Sequence, residues 1–98
     1  MKFRFADAKL ERLYADASYT AGYGRNVVKG FRKVMGWIHS AASEQDFYRL
    51  ASLHYEKLKG GRSHQRSMRL NDQFRLILEI KMNGDRTVVI MAIEKHYE

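Results

Sequence analysis

The side chains that could do chemistry in this chain crowd into two places. Between Leu58 and Arg75 stand Lys59, Arg62, His64, Arg66, Arg69 and Arg75, with Glu56 and Lys57 just before them, and the tail carries Lys95, His96 and Tyr97. Guanidinium forks and ammonium groups in such density suit phosphate or carboxylate oxygens, which they hold by charge-assisted hydrogen bonds. An unperturbed imidazole titrates near ~6.5, so His96 can take and return protons at neutral pH, with Tyr97, Lys57 or Glu56 as candidate partners. Each residue also has an ordinary explanation. Arg75, between Phe74 and Leu76, reads on patterning alone as the outward residue of an alternating strand. Lys57, Lys59 and Arg62 read as a solubilising loop, and His96 and Tyr97 as a chain end. His39 and His64 lack partners at metal-ligand spacing, so no metal site and no cofactor are assigned.

The rest of the composition bounds the setting. A chain of 98 residues, 45% hydrophobic and 30% charged, suits one soluble domain spanning 1–98. Eighteen Lys and Arg against eleven Asp and Glu give a net charge of +7, which favours a polyanion or an acidic protein as partner. Cysteine is absent, which excludes disulfides and thiolate chemistry. The opening residues hold no apolar signal region, and the uncharged stretch from Val34 to Ser43 is interrupted by Gly36, His39 and Ser40, far short of the ~20 apolar residues of a membrane span. The expectation is a cytoplasmic protein without a membrane partner.

The elements that must position these groups follow from periodicity. Lys2–Phe5 alternates as a short strand with Phe3 and Phe5 inward, and Asp7 caps a helix over roughly 8–17 that buries Leu10, Leu13, Tyr14 and Ala17. A broad helical stripe of Val27, Val28, Phe31, Val34, Met35, Ile38, Ala41 and Ala42 predicts a long core helix from Arg25 to about Ala42, with Lys29, Arg32, Lys33 and His39 off the stripe. Ser43 with Asp46 signals a short third helix over Glu44–Ala51, burying Phe47 and Leu50. After Gly60-Gly61 the period becomes two. Met68 and Leu70 share one side of a strand, Gln65, Ser67 and Arg69 the other, and Phe74, Leu76, Leu78 and Ile80 share a face of the next. A three-residue turn over Asn71–Gln73 sets Met68 opposite Leu76 and Arg69 beside Arg75. A two-residue turn at Asn83-Gly84 would pair Leu78 with Val89, Leu76 with Met91 and Phe74 with Ile93, leaving Arg75, Ala92, Glu94 and His96 on the open face. The fold expected is α+β, ordered β-α-α-(α)-β-β-β, with helices on one face of a small, mainly antiparallel sheet.

The joint spacing of Leu58-Lys59-Gly60, Arg62, Gln65, Ser67, Arg69, Asn71-Asp72-Gln73 and Phe74-Arg75 resembles the signature of the HigB branch of RelE/ParE-type toxins. The resemblance implies the same α+β fold. It also implies a toxin of a type II toxin-antitoxin system, acting as a ribosome-dependent endoribonuclease on mRNA and silenced by an antitoxin, HigA-like and expected to carry a helix-turn-helix. By position, Arg75 falls where such enzymes hold the scissile phosphate, and Lys59, Arg62 and Arg69 fall at basic positions along the RNA path, with Arg66 and Lys95 as further cations. Many relatives end in Asp-Tyr-His, whereas this chain has Lys95-His96-Tyr97. A histidine that some relatives carry just before the Leu-Lys-Gly turn is replaced by Glu56, and its role is not moved to His54.

RNA supplies its own nucleophile in the 2′-hydroxyl, so cleavage without a metal needs deprotonation, charge stabilisation and protonation of the leaving group. Arg75 with Arg69 or Lys59 suits the second task, a contact of the oxyanion type worth about 3–4 kcal/mol. His96, Tyr97, Lys57 and Glu56 are the candidates for the other two. The alternatives are a ParE-like toxin that binds DNA gyrase without catalysis and a non-enzymatic RNA-binding module using the same cationic face.

Overall fold

The computed structural model describes residues 1–96. Its elements run β1 (Lys2–Phe5), α1 (Ala8–Ala15), α2 (Arg25–Ser40), α3 (Gln45–Arg49), β2 (Glu56–Lys57), β3 (Arg66–Arg69), β4 (Phe74–Asn83) and β5 (Asp85–Lys95), with single 3-10 turns at Ala51–Leu53 and Gly60–Arg62. The expected order is met, with one two-residue strand, β2, added ahead of β3. The sheet order is β1-β5-β4-β3-β2, parallel between β1 and β5 and antiparallel elsewhere. The three helices cover one face, where Leu10, Leu13, Phe31, Met35, Ile38 and Phe47 meet Met68, Leu76, Leu78, Val88 and Ile90 in the core.

Local chemistry sets the helix limits. Asp7 accepts a hydrogen bond from the Lys9 N–H at 2.7 Å and starts α1. The helix stops at Ala15, two residues short of expectation, because the Asp16 carboxylate accepts from both the backbone N–H and the hydroxyl of Ser18, a turn that competes with another helical residue. Ala17 is consequently exposed, and Tyr14 is 40% exposed although it packs edge-on to Phe3. In α2 the predicted stripe is buried from Val27 to Ile38. Gly30 has a separate purpose: a Cβ there would lie 2.3 Å from the Leu70 carbonyl oxygen, so only glycine lets the helix lie this close to the end of β3. Phe47 is buried as expected, but Leu50 is not. The 3-10 turn at Ala51–Leu53 breaks the helical period and puts Leu53 and Tyr55 into the core instead.

The first hairpin has the predicted register, with Met68 opposite Leu76 and Arg69 opposite Arg75. Asn71 shapes its turn, because its Oδ1 accepts from the N–H groups of Gln73 and Phe74, both at 2.8 Å. The second hairpin departs from expectation. Asn83 pairs with Asp85 around Gly84, whose φ is +80°, and Leu78 faces Ile90 rather than Val89. A bulge follows, so that Ile77 faces Ala92, Leu76 faces Ile93 and Phe74 faces Lys95, with Met91 as the inserted residue. Val88 and Ile90 therefore enter the helix-covered core in place of Val89 and Met91, while Arg75 and Glu94 still meet on the other face.

Candidate functional site

Arg75 stands on β4 in the middle of a row that crosses three strands, with Arg69 on β3 to one side and Glu94 on β5 to the other. The row borders a cleft of about 320 Å³ on the helix-free face, lined by His54, Glu56, Ser67, Arg69, Asn71, Asp72, Phe74, Arg75 and His96. Glu56 reaches it because β2 pairs Glu56 with Ser67, which stands two residues before Arg69 on the same face of β3. His96 reaches it because its backbone N–H donates to the Gln73 carbonyl at 2.6 Å, extending the β4–β5 pairing past the turn. That contact sets the imidazole Nδ1 3.5 Å from an Arg75 guanidinium nitrogen. Two neighbouring arginines repel, and each has an acid in reach: Asp72 pairs with Arg69, and Glu94 lies 3.7 Å from Arg75.

The face is not fully open. The loop containing the Gly60–Arg62 turn arches back over the sheet, and Arg62 reaches across β3 and β4 to grip Glu94 with two nitrogens, at 2.9 and 2.8 Å. Arg62 Nε also donates to Gln65 Oε1 at 2.9 Å, and Gln65 Nε2 donates to Glu79 at 3.1 Å. Beneath this arch Ile77 and Glu79 are buried on the face away from the helices. The hydrogen bonds from Arg62 hold the Glu94 carboxyl below the usual glutamate range, and the bond from Lys81 and that from Gln65 do the same for Glu79. Both acids are therefore charged near neutral pH.

Of the residues singled out from the sequence, Arg75, His96, Arg69 and Glu56 come together in the cleft. Arg62 stands in the arch, and Lys59 is exposed at its start. Arg66 lies on the helix side, because it shares parity with Met68; its Nε sits 3.8 Å from Glu44, which also accepts the Tyr55 hydroxyl at 2.7 Å. Lys57 pairs with Arg66 and shares that side, and Lys95 pairs with Phe74. Tyr97 lies outside the described residues. Sequence reasoning set aside His54, which lines the cleft from a left-handed backbone position with φ +47°. It also passed over the engagement of Glu94 by Arg62, for which the strand alternation marking Glu94 as Arg75's neighbour was the only available signal.

The comparisons with known proteins bear on this arrangement. The family model of the HigB-like toxins, described as RelE-like toxin of type II toxin-antitoxin system HigB, matches residues 3–96. A solved structure described as a YoeB/ParE toxin from Agrobacterium tumefaciens is similar in fold, with a TM-score of 0.59 at 15% identity, covering 99% of this chain and 100% of that one. The search of curated proteins gave no match. With nearly its whole length matched and the signature residues Arg69 and Arg75 side by side at one cleft, this chain belongs to the HigB-like family of RelE-like toxins of type II toxin-antitoxin systems.

Proposed function

We propose that this toxin is a ribosome-dependent endoribonuclease that cuts mRNA and thereby inhibits translation. The observation that carries the proposal is the pairing of a phosphate-gripping group with a proton-transfer group: Arg75, flanked by Arg69, has the His96 imidazole 3.5 Å away in a cleft on the helix-free face. In this reading the RNA 2′-hydroxyl attacks the adjacent phosphorus, its proton passes to a base in the cleft, and the 5′-oxygen leaves with a proton from an acid. Arg75 and Arg69 hold the non-bridging oxygens as negative charge builds. His96 is one proton-transfer group, and Glu56 and His54, which line the same cleft, are the described candidates for the other. Tyr97 follows His96 directly in the chain and remains a further candidate. Lys59 guides the RNA backbone from the exposed loop, whereas Lys57, Arg66 and Lys95 on the other side of the sheet are assigned no contact with the scissile phosphate. The chemistry requires no metal, since substrate and side chains supply every group.

Membership of the family implies a cognate antitoxin; we propose that it is HigA-like, and that the toxin works on ribosomes in the cytoplasm. The test is induction of the wild-type chain and of Arg75→Ala in a bacterial host, following growth and mapping mRNA 5′ ends. New ends inside translated frames with growth arrest, both lost in Arg75→Ala, are expected. Arrest with intact mRNA and gyrase-linked DNA breaks would instead establish a ParE-like poison, and no arrest would leave an RNA-binding module.

A further inference from the structure

Arg75 is held more loosely than its surroundings require. Its two terminal contacts are long, 3.5 Å to His96 Nδ1 and 3.7 Å to Glu94, and its buried Nε has no hydrogen-bond partner among the described residues. A carboxylate directly across the strand would ordinarily close on such an arginine as a two-pronged pair. Glu94 instead gives both oxygens to Arg62, at 2.9 and 2.8 Å, and stays 3.7 Å from Arg75; Arg62 arrives from the arching loop and is anchored in turn through Gln65 to Glu79. We infer that Arg62 is a positioning residue: by occupying Glu94 it keeps that carboxylate off Arg75 and leaves the Arg75 guanidinium available to the scissile phosphate. This rests on the nuclease reading and gives Arg62 a part other than that of an RNA-path cation.

The inference makes the two partners of one ion pair behave oppositely. Without Arg62, Glu94 has Arg75 3.7 Å away as its ion-pair partner among the described residues; it closes on Arg75, and phosphate must displace it. Without the Glu94 charge, Arg75 stays available whether or not Arg62 is present. The experiment is cleavage of a translated mRNA on programmed ribosomes by the full chain and by Arg62→Ala, Glu94→Gln and the double variant, each checked for folding by thermal melting. Arg62→Ala is expected to lose about tenfold to a hundredfold in rate, as for a misplaced catalytic group. Glu94→Gln should stay close to wild type, and the double variant should return to the Glu94→Gln level. A brace that merely held the loop would fail equally in both single variants, and an RNA-path cation would leave the double variant as slow as Arg62→Ala; either result overturns the inference. Should Arg62→Ala not fold, Arg62→Gln takes its place.

A second readout needs no cleavage. Titration with inorganic phosphate, followed by NMR of the arginine Nε–H groups, should move the Arg75 signal in wild type, move it only at higher phosphate in Arg62→Ala, and recover in the double variant. An equal response in all three would sink the inference. Absence of mRNA cleavage by the wild type, with this phosphate pattern intact, would sink the nuclease reading alone.

Discussion

On the proposed nuclease reading, the geometry of the Arg75 guanidinium matters as much as its charge, because a planar fork can hold two phosphate oxygens at once while an ammonium holds them as a point charge. Arg75→Lys, which keeps the charge, is therefore expected to lose most of the cleavage, and Arg75→Ala to lose about a hundredfold to a thousandfold in rate; end-mapping of the transcripts after a short induction measures both. The arch has its own signature in acid. Glu94, held by Arg62, and Glu79, held by Lys81 and Gln65, bind protons more weakly in the folded chain than unfolded. Their stabilisation is complete at neutral pH and drains away as pH falls through about 4 and below. Thermal melts between pH 7 and pH 3 should show a falling midpoint, with a shallower fall in Glu94→Gln. The cluster of cations was legible in the sequence, and so was Glu94 as Arg75's neighbour. The use Arg62 makes of Glu94 was not, since it depends on a loop crossing two strands to a residue far along the chain. Arg66 could have been placed, because it shares Met68's parity and so belongs with the helices.

At the level of elements, two contacts fasten helices to the sheet. Gly30→Ala would raise helix propensity by up to about 1 kcal/mol, yet its methyl group would meet the Leu70 carbonyl oxygen, where both sides are backbone and cannot give easily. A net loss of about 1–3 kcal/mol is expected, as for overpacking generally, to be read from urea unfolding. Tyr55 is 7% exposed and donates to Glu44, which also lies near Arg66 and Arg86 and so joins the start of α3 to two strands. Tyr55→Phe should cost about 1–2 kcal/mol, by removing the shorter of the hydrogen bonds that Glu44 accepts from Tyr55 and Arg86. Burial, and then the Glu44 bond, push the Tyr55 phenol well above its usual range. Folding thus favours its protonated form, and stability is undiminished below about pH 10 and is lost as pH climbs beyond it. Alkaline melts should show that loss in wild type and less of it in Tyr55→Phe. The helices and the first hairpin were readable because their apolar residues keep a single period. The last strand was not: Val88-Val89-Ile90-Met91-Ala92-Ile93 is apolar in both parities, so neither register is penalised, and the bulge at Met91 leaves no mark in the composition.

For the whole molecule, the net charge of +7 adds a long-range attraction to any RNA that the cleft engages. Binding of a non-cleavable RNA analogue, followed by fluorescence anisotropy, should weaken steeply with added salt, and a flat response would argue against a phosphate-led contact. The parallel pairing of β1 with β5 carries a different consequence, one of timing. Lys2–Phe5 finds its partners at Thr87–Ile90, so β1 cannot pair until β5 is available. Contacts so distant in sequence slow folding, and stopped-flow refolding is expected in milliseconds to seconds rather than microseconds. Arg75, Glu94 and His96 all stand on or beside the two final strands. A nascent chain whose β5 segment, Asp85–Lys95, is still inside the ribosome has neither a closed sheet nor an assembled cleft, so the site forms only once that segment has emerged.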